Sequence, residues 1–79
     1  MNGYRVEYTD TFGGEANYCW VRHAEISVPD GASRSLIMRR AKSAIGIGGA
    51  RGKTDDYGDS FQFTPYRSCT TMFVTFDYN

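Results

Sequence analysis

The chain has 79 residues with nine basic and nine acidic side chains, so its formal net charge is zero. This balance argues against both a strongly basic nucleic-acid binder and an acidic DNA mimic. A hydrophobic content of 41% predicts one compact domain over residues 1–79. No apolar run reaches the roughly 18–20 residues that cross a membrane, and the N-terminus lacks a signal-peptide pattern, so we expect a cytoplasmic protein without membrane contact.

The first third of the chain predicts a β-hairpin. Residues 4–9 alternate apolar and polar side chains, which is the pattern of a strand with one buried face. The Gly13-Gly14 pair is suited to a tight turn, and residues 17–28 then read as a second strand. Arg22 interrupts the apolar positions of that strand, so we expect an edge, a bulge or a bend near it.

Residues 32–47, ASRSLIMRRAKSAIGI, carry the one strong helical pattern. Apolar residues recur at helical spacing along one side, and basic and serine residues occupy the other. Asp30 or Ser33 is placed to cap the first free amides, and the glycines that begin at Gly46 favour termination. We therefore expect a helix with one face packed against the core and one solvent-exposed, positively charged face.

The last third of the chain predicts a second hairpin. Residues 48–58, GGARGKTDDYG, read as an exposed loop, with a short strand as the alternative. Residues 60–64 and 69–78 alternate as strands around a turn at residues 65–68. The predicted fold is therefore α+β with the order ββαββ, a four-stranded antiparallel sheet with one helix packed on one face.

The string IGIGGARGKT ends like a phosphate-binding P-loop. That motif requires a glycine five residues before Gly52, where this chain has Ile47. A P-loop also leads from a strand into a helix, whereas this segment follows a helix. We therefore interpret it as a flexible basic loop.

Other reactive side chains do not form a recognisable site in the sequence. The carboxylates of residues 55–59 lack the alternating spacing of a calcium loop. His23 and Cys19 would lie about 13 Å apart along an extended strand, too far for a catalytic pair. Cys19 and Cys69 lack zinc-site spacing, and we expect reduced thiols, with a disulfide as the alternative. The sequence predicts no enzyme, no metal site and no cofactor.

A basic segment is the strongest candidate for a binding surface. Residues 31–54 contain six basic side chains and no acidic one, while the flanking segments are acidic. Unpaired positive charge could contact phosphates or an acidic protein surface. The alternative is that acidic side chains elsewhere in the fold neutralise this charge, and that the segment has no binding role. The predicted partner-binding residues are Arg34, Arg39, Lys42, Arg51 and Lys53.

The open face of the predicted sheet is a second candidate surface. Aromatic side chains interleaved with arginine could stack nucleobases there, as in RNA-recognition modules. The RNP1 pattern of those modules is missing, so burial of this face in a partner protein or a second copy is an equal alternative. The sequence leaves a monomer and a homodimer both open.

The run YRVEYTDTFGGEANYCWVR at residues 4–22, followed by RRAK at residues 39–42, resembles small proteins encoded by bacteriophages and prophages. In size and single-domain build, the chain is also similar to the phage anti-CRISPR proteins that disable type I surveillance complexes. This resemblance implies a binding inhibitor in the bacterial cytoplasm that blocks DNA binding or nuclease recruitment. A small phage accessory protein that binds nucleic acid through the basic helix and loop is the alternative.

Overall fold

One helix and a five-stranded sheet make up the fold in the computed structural model, which describes residues 1–13, 15–66 and 68–78. Residue 78 is described by its backbone alone. The elements are β1 Asn2–Phe12, β2 Glu15–Val28, α1 Arg34–Ala44, β3 Gly52–Asp56, β4 Ser60–Pro65 and β5 Thr70–Tyr78. The strands form one sheet in the order β2-β1-β5-β4-β3, and every neighbouring pair is antiparallel. Helix α1 packs on one face of this sheet.

The α+β class is confirmed, but the four-strand count and the ββαββ order are wrong. Residues 52–56, predicted within an exposed loop, form β3 and pair with β4, so the order is ββαβββ. Gly52 lies opposite Pro65, and a Cβ atom on Gly52 would overlap the carbonyl oxygen of Thr64. The glycine that suggested a loop therefore permits close approach of two strands.

Two predicted turns fall partly outside the described residues. Gly13 has a φ of 64°, the left-handed conformation that glycine readily adopts. Gly14, the next residue of that turn, lies outside the described part of the chain. The same holds for Arg67 in the turn between β4 and β5.

The core lies between α1 and the sheet face formed by alternate residues of each strand. The register places Val6 beside Val74 and Phe61 beside Val74, so these side chains share one face across three strands. The buried apolar residues are Val6, Tyr8, Ile26, Val28, Ile37, Met38, Ala41, Ile45, Phe61, Phe63, Met72 and Val74.

The open face of the sheet is not the aromatic surface considered from the sequence. Tyr8, Phe61 and Phe63 are buried under the helix because the apolar alternation directs them to the core. The opposite face instead carries rows of mostly polar side chains, in which Arg5 lies opposite Glu25 and Thr75 in the register.

Helix α1 is shorter than the predicted span of residues 32–47, and both of its ends are capped. The Ser33 hydroxyl accepts a hydrogen bond from the Leu36 N–H at 3.2 Å. At the C-terminus, Gly46 has a φ of 84°, and the N–H groups of Gly46 and Ile47 bond back to carbonyls of the last turn. This is the glycine-terminated cap that the sequence predicted.

Arg22 joins the end of the helix to β2. Its Nη1 donates to the Ile45 carbonyl at 2.6 Å, and its guanidinium carbon lies 5.8 Å from the centroid of the Tyr8 ring. A positive charge at a helix C-terminus is favourable because the last carbonyls carry partial negative charge. The residue that breaks the apolar pattern of β2 therefore anchors the helix.

Replacement of Arg22 by Ala should lower the free energy of unfolding by about 1–2 kcal/mol, because it removes a charged hydrogen bond to the helix end and the contact with Tyr8. Urea unfolding followed by circular dichroism measures the change. Arg5→Ala is the control, since within the described residues Arg5 forms an ion pair with Glu7 at 3.8 Å that is open to solvent. Equal losses in the two variants would contradict the anchoring role.

An irregular bulge interrupts the pairing of β1 with β2. Thr9 pairs with Val21 and Thr11 pairs with Ala16, so residues 17–20 of β2 stand opposite a single residue of β1. The irregularity expected near Arg22 lies in this segment, whereas Arg22 itself pairs in register with Tyr8.

Asp10 is the residue that organises the bulge. Its carboxylate accepts hydrogen bonds from Asn17 Nδ2 at 2.9 Å and from the Cys19 N–H at 2.8 Å. The bond from Asn17, with smaller contributions from backbone and Thr9 donors, lowers the pKa of Asp10 below its ordinary value of 3.8. The ionised carboxylate is therefore part of the bulge structure.

Because the pKa of Asp10 is lower in the folded than in the unfolded chain, its stabilisation is present above the unfolded-state pKa and is lost as the pH falls through the folded value. We expect the free energy of unfolding of the wild type to fall more steeply than that of Asp10→Asn between about pH 5 and pH 3. Urea unfolding at a series of pH values measures both slopes. Asp77→Asn is the matched control for loss of one carboxylate, and parallel curves for wild type and Asp10→Asn would contradict the assignment.

Candidate functional site

A groove runs along α1 on the side that faces β3. Of the strands, β2 has the most extensive backbone contact with the helix, and β2 lies at the opposite edge of the sheet from β3. The groove has a volume of about 310 Å³. Its lining residues are Arg34, Ser35, Met38, Arg39, Lys42 and Thr54.

Helical spacing explains why five of these residues share one side of α1. Arg34, Met38 and Lys42 are four residues apart, and Ser35 and Arg39 form the neighbouring row at the same spacing. Met38 is buried, whereas the cationic side chains reach outward. Thr54 contributes a hydroxyl from β3 on the other wall. The groove therefore combines three cations with two hydroxyl groups.

The arginines of the groove differ in how much of their charge is available. Arg34 Nη1 lies 3.2 Å from Asp56 Oδ2, in an ion pair exposed to solvent. Arg39 is exposed and, among the residues that the structure describes, has no hydrogen-bond or ion-pair partner. Arg39 is consequently the cation most available to an incoming anionic group.

Lys42 is held in place by two contacts. Its Nζ donates to the Ala50 carbonyl at 3.2 Å and lies 4.9 Å from the centroid of the Phe63 ring. A side chain that is already ordered loses less conformational entropy when it binds a ligand. Lys42 therefore adds positive charge to the groove from a fixed position.

The structure separates the five residues predicted to bind a partner. Arg34, Arg39 and Lys42 line the groove, but Arg51 and Lys53 do not. Thr54 faces the groove, and because side chains alternate along a strand, Lys53 lies on the opposite face. There Lys53 Nζ is 3.8 Å from Asp55 Oδ1. Because residues 52–56 form a strand, Lys53 and the groove-lining residues lie on different faces of the sheet, and partner binding by the five residues stays a prediction.

Sequence reasoning missed Thr54 and Asp56 as parts of the site. Both belong to β3, and the interpretation of GKTDD as loop gave no reason to place them beside the helix. The available signal was the short-strand alternative, which would have put Thr54 and Asp56 on one face and Lys53 and Asp55 on the other.

The side chains considered for catalysis lie outside the groove, whereas Asp56, one of the carboxylates considered for metal binding, pairs with Arg34 beside it. His23 pairs with Glu7 on the face away from the helix, and Cys19 and Cys69 are exposed free thiols. Within the described residues, no group of three or more His, Cys, Asp or Glu side chains is placed to hold a metal ion. In the same part of the chain, no helix has the length and apolar character needed to cross a membrane.

No protein family, no curated protein and no solved structure matches this chain. The charge and geometry of the groove therefore carry the evidence for a binding surface.

Pyrophosphate is a small anion that can serve as a probe of the groove. Replacement of Asp56 by Asn should strengthen its binding by up to about fivefold, because the change releases Arg34 from an exposed ion pair worth about 0.2–1 kcal/mol. Amide chemical shifts of residues 34–42 and 52–56, followed by NMR during a pyrophosphate titration, give the affinity. Asp59→Asn makes the same charge change outside the groove and should have a smaller effect. An equal gain in both variants would indicate a general charge effect and no specific role for Arg34.

Proposed function

We propose that this chain is a binding protein that acts by occlusion, using the groove to dock on an acidic surface of a partner protein. The supporting observation is the convergence of Arg34, Arg39 and Lys42 along one side of α1, beside an edge strand. Since the net charge of the chain is zero, this positive charge is local. A local charged patch suits a complementary patch on another protein, where it directs encounter and orientation.

The resemblance to phage-encoded proteins gives this proposal a specific partner. We propose that the groove binds a type I CRISPR surveillance complex in the bacterial cytoplasm and thereby blocks DNA binding or nuclease recruitment. A standard interface buries about 800 Å² on each partner, so the groove would be the centre of a larger contact. Arg39 fits the role of the central anchor, because arginine is enriched among the residues that dominate interface energetics.

The hydroxyl groups of Ser35 and Thr54 favour a second candidate function, binding of nucleic-acid phosphates. Hydroxyls beside arginine and lysine are frequent phosphate ligands in protein–DNA complexes. The two functions differ in their salt response. Three phosphate contacts to duplex DNA would give a slope of about −2.7 in a plot of log affinity against log salt concentration. A mixed interface between proteins should give a shallower slope.

Charge reversal by Arg39→Glu should weaken binding to the purified surveillance complex at least about tenfold, because it places a carboxylate against an acidic surface. Lys53→Glu makes the same change on the opposite face of β3 and should stay within about threefold of the wild type. Biolayer interferometry measures both affinities, and a DNA-cleavage assay with the complex measures inhibition.

Three outcomes would count against parts of this proposal. No binding of the wild-type protein to the complex would remove the inhibitor function. Equal effects of Arg39→Glu and Lys53→Glu would remove the groove as the contact. Recovery of nucleic acid alone from a bacterial lysate, abolished by nuclease treatment, would favour the phosphate-binding function.

A further inference from the structure

The outer edge of β3 lies along the groove. β3 is the last strand of the sheet, and in the described part of the chain no strand lies beyond it. Thr54, the middle residue of β3, is exposed and lines the groove. The groove therefore combines a set of positive charges with a strand edge that can bond to a further strand.

Two hydrogen bonds at the ends of β3 show which of its residues face that edge. The Tyr66 N–H donates to the Arg51 carbonyl at 2.9 Å, and the Tyr57 N–H donates to the Ser60 carbonyl at 2.9 Å. Both pairs continue the register of β3 with β4. Because bonding direction alternates in an antiparallel pair, odd-numbered residues of β3 bond to β4 and even-numbered residues bond outward. The N–H and C=O groups of Thr54 are therefore directed to the open edge.

The side chain opposite Thr54 on an added strand would lie on the helix face of the sheet. Directly opposite residues of paired strands share one face, and Thr54 faces the groove. Arg39 also lines the groove, is exposed and, within the described residues, has no hydrogen-bond or ion-pair partner. A carboxylate can accept two parallel hydrogen bonds from such a guanidinium. The groove therefore favours an acidic side chain at the position opposite Thr54.

We propose that β3 pairs antiparallel with an extended acidic segment of the partner protein, which becomes a sixth strand of the sheet. The inference rests on the proposed function for the existence of a protein partner, and it adds the chemistry and conformation of the segment that is bound. Main-chain hydrogen bonds to Thr54 hold the segment, and the groove cations select its side chains. Antiparallel pairing continues the arrangement of every other pair in this sheet.

Asp56 limits the sequence of the segment. It lies two residues after Thr54 on the same face of β3, and its carboxylate is 3.2 Å from Arg34. An acid opposite Asp56 would be repelled, whereas an acid opposite Gly52 would face a residue without a side chain. The preferred segment therefore has two acids separated by one residue, opposite Gly52 and Thr54, and an uncharged residue opposite Asp56.

A second copy of this chain does not meet these requirements. Its β3 would offer one acid on the helix face, the second copy's Asp56, which already pairs with Arg34. Pairing of two β3 edges would also bring two sets of groove cations beside each other, and like charges repel. The shortness of β3 and its charged Lys53 and Asp55 further discourage self-association. Charge complementarity thus favours an acidic segment of a different protein.

A capped peptide of about nine residues tests the pairing. It consists of threonine and serine with two glutamates separated by one residue, a spacing that puts both carboxylates on one face of a strand. At saturation, hydrogen exchange of the Thr54 amide in the full chain should slow at least about tenfold, because its N–H gains an acceptor. The Lys53 amide is the internal control, since it already bonds to β4 and its exchange should change little.

A second peptide separates strand pairing from simple attraction of charge. N-methyl groups on the backbone nitrogens of both glutamates keep the carboxylates and remove the N–H donors that face β3. The affinity measured by NMR titration should therefore fall at least about tenfold. Replacement of both glutamates by glutamine keeps the donors and removes the charge, and it should weaken binding at least about fivefold.

Thr54→Pro makes the corresponding change in the protein. Proline is tolerated at an outward position of an edge strand but has no N–H to donate, so the affinity for the unmodified peptide should fall at least about tenfold. Thr54→Val is the matched control, because it removes the hydroxyl and keeps the backbone donor, and it should stay within about threefold of the wild type. If Thr54→Pro does not fold, the N-methylated peptide makes the same test on the wild-type chain.

Several results would overturn the strand pairing. Equal affinities of the N-methylated and unmodified peptides would show that the cations alone hold the carboxylates. No protection of the Thr54 amide at millimolar peptide would exclude the added strand. Protection of that amide that rises with protein concentration, without peptide, would make a second copy the occupant. Tighter binding of a duplex oligonucleotide than of the peptide, with no protection of Thr54, would make the groove a phosphate site.

The surveillance complex distinguishes failure of this inference from failure of the proposed function. Binding to the complex should be weakened in Thr54→Pro as it is in Arg39→Glu. A folded Thr54→Pro chain that binds the complex like the wild type would keep the proposed function and overturn the strand pairing. A wild-type chain that pairs with the peptide and does not bind the complex would keep the strand pairing and remove the complex as the partner.

Discussion

The fold is governed by a mismatch in width between one helix and five strands. A helix with its side chains is about 10–12 Å across, whereas five strands spaced about 4.8 Å apart span roughly 19 Å between the outer strand axes. A single helix cannot cover such a sheet evenly. In this chain, Arg22 holds the end of α1 to β2, and the uncovered part of the sheet lies toward β3. The groove is the direct result of that offset.

The sequence predicted the features that depend on strong local periodicity. The helix, a cap at Asp30 or Ser33 and the glycine-terminated end follow from side-chain spacing and backbone preference, and the long strands follow from apolar alternation. β3 could not be recognised in the same way, because Lys53, Thr54 and Asp56 are exposed and give an edge strand no apolar face. The bulge depends on hydrogen bonds to the Asp10 carboxylate from Asn17 and Cys19, which lie across the hairpin and outside the reach of strand periodicity.

The candidate site shows how a strand reorganises a charged segment. In the sequence, residues 31–54 form one block of positive charge. In three dimensions, the helix gathers Arg34, Arg39 and Lys42 on one side, while the alternation of β3 sends Lys53 to the other face of the sheet. β3 also supplies Asp56, which neutralises part of the charge of Arg34. The positive charge that the groove offers to a ligand is therefore smaller and more localised than the number of basic residues in this segment suggests.

Gly52 has a further consequence for how this chain tolerates change. Any side chain at that position would push β3 away from Thr64 and Pro65, and with it the wall of the groove that carries Thr54. Gly52 is not part of the groove lining, yet its replacement would alter the site more than many substitutions of exposed residues within it. In a library of single substitutions selected for groove function, substitutions of Gly52 would be lost because they displace the backbone of β3. Their loss would point to the groove although Gly52 does not line it.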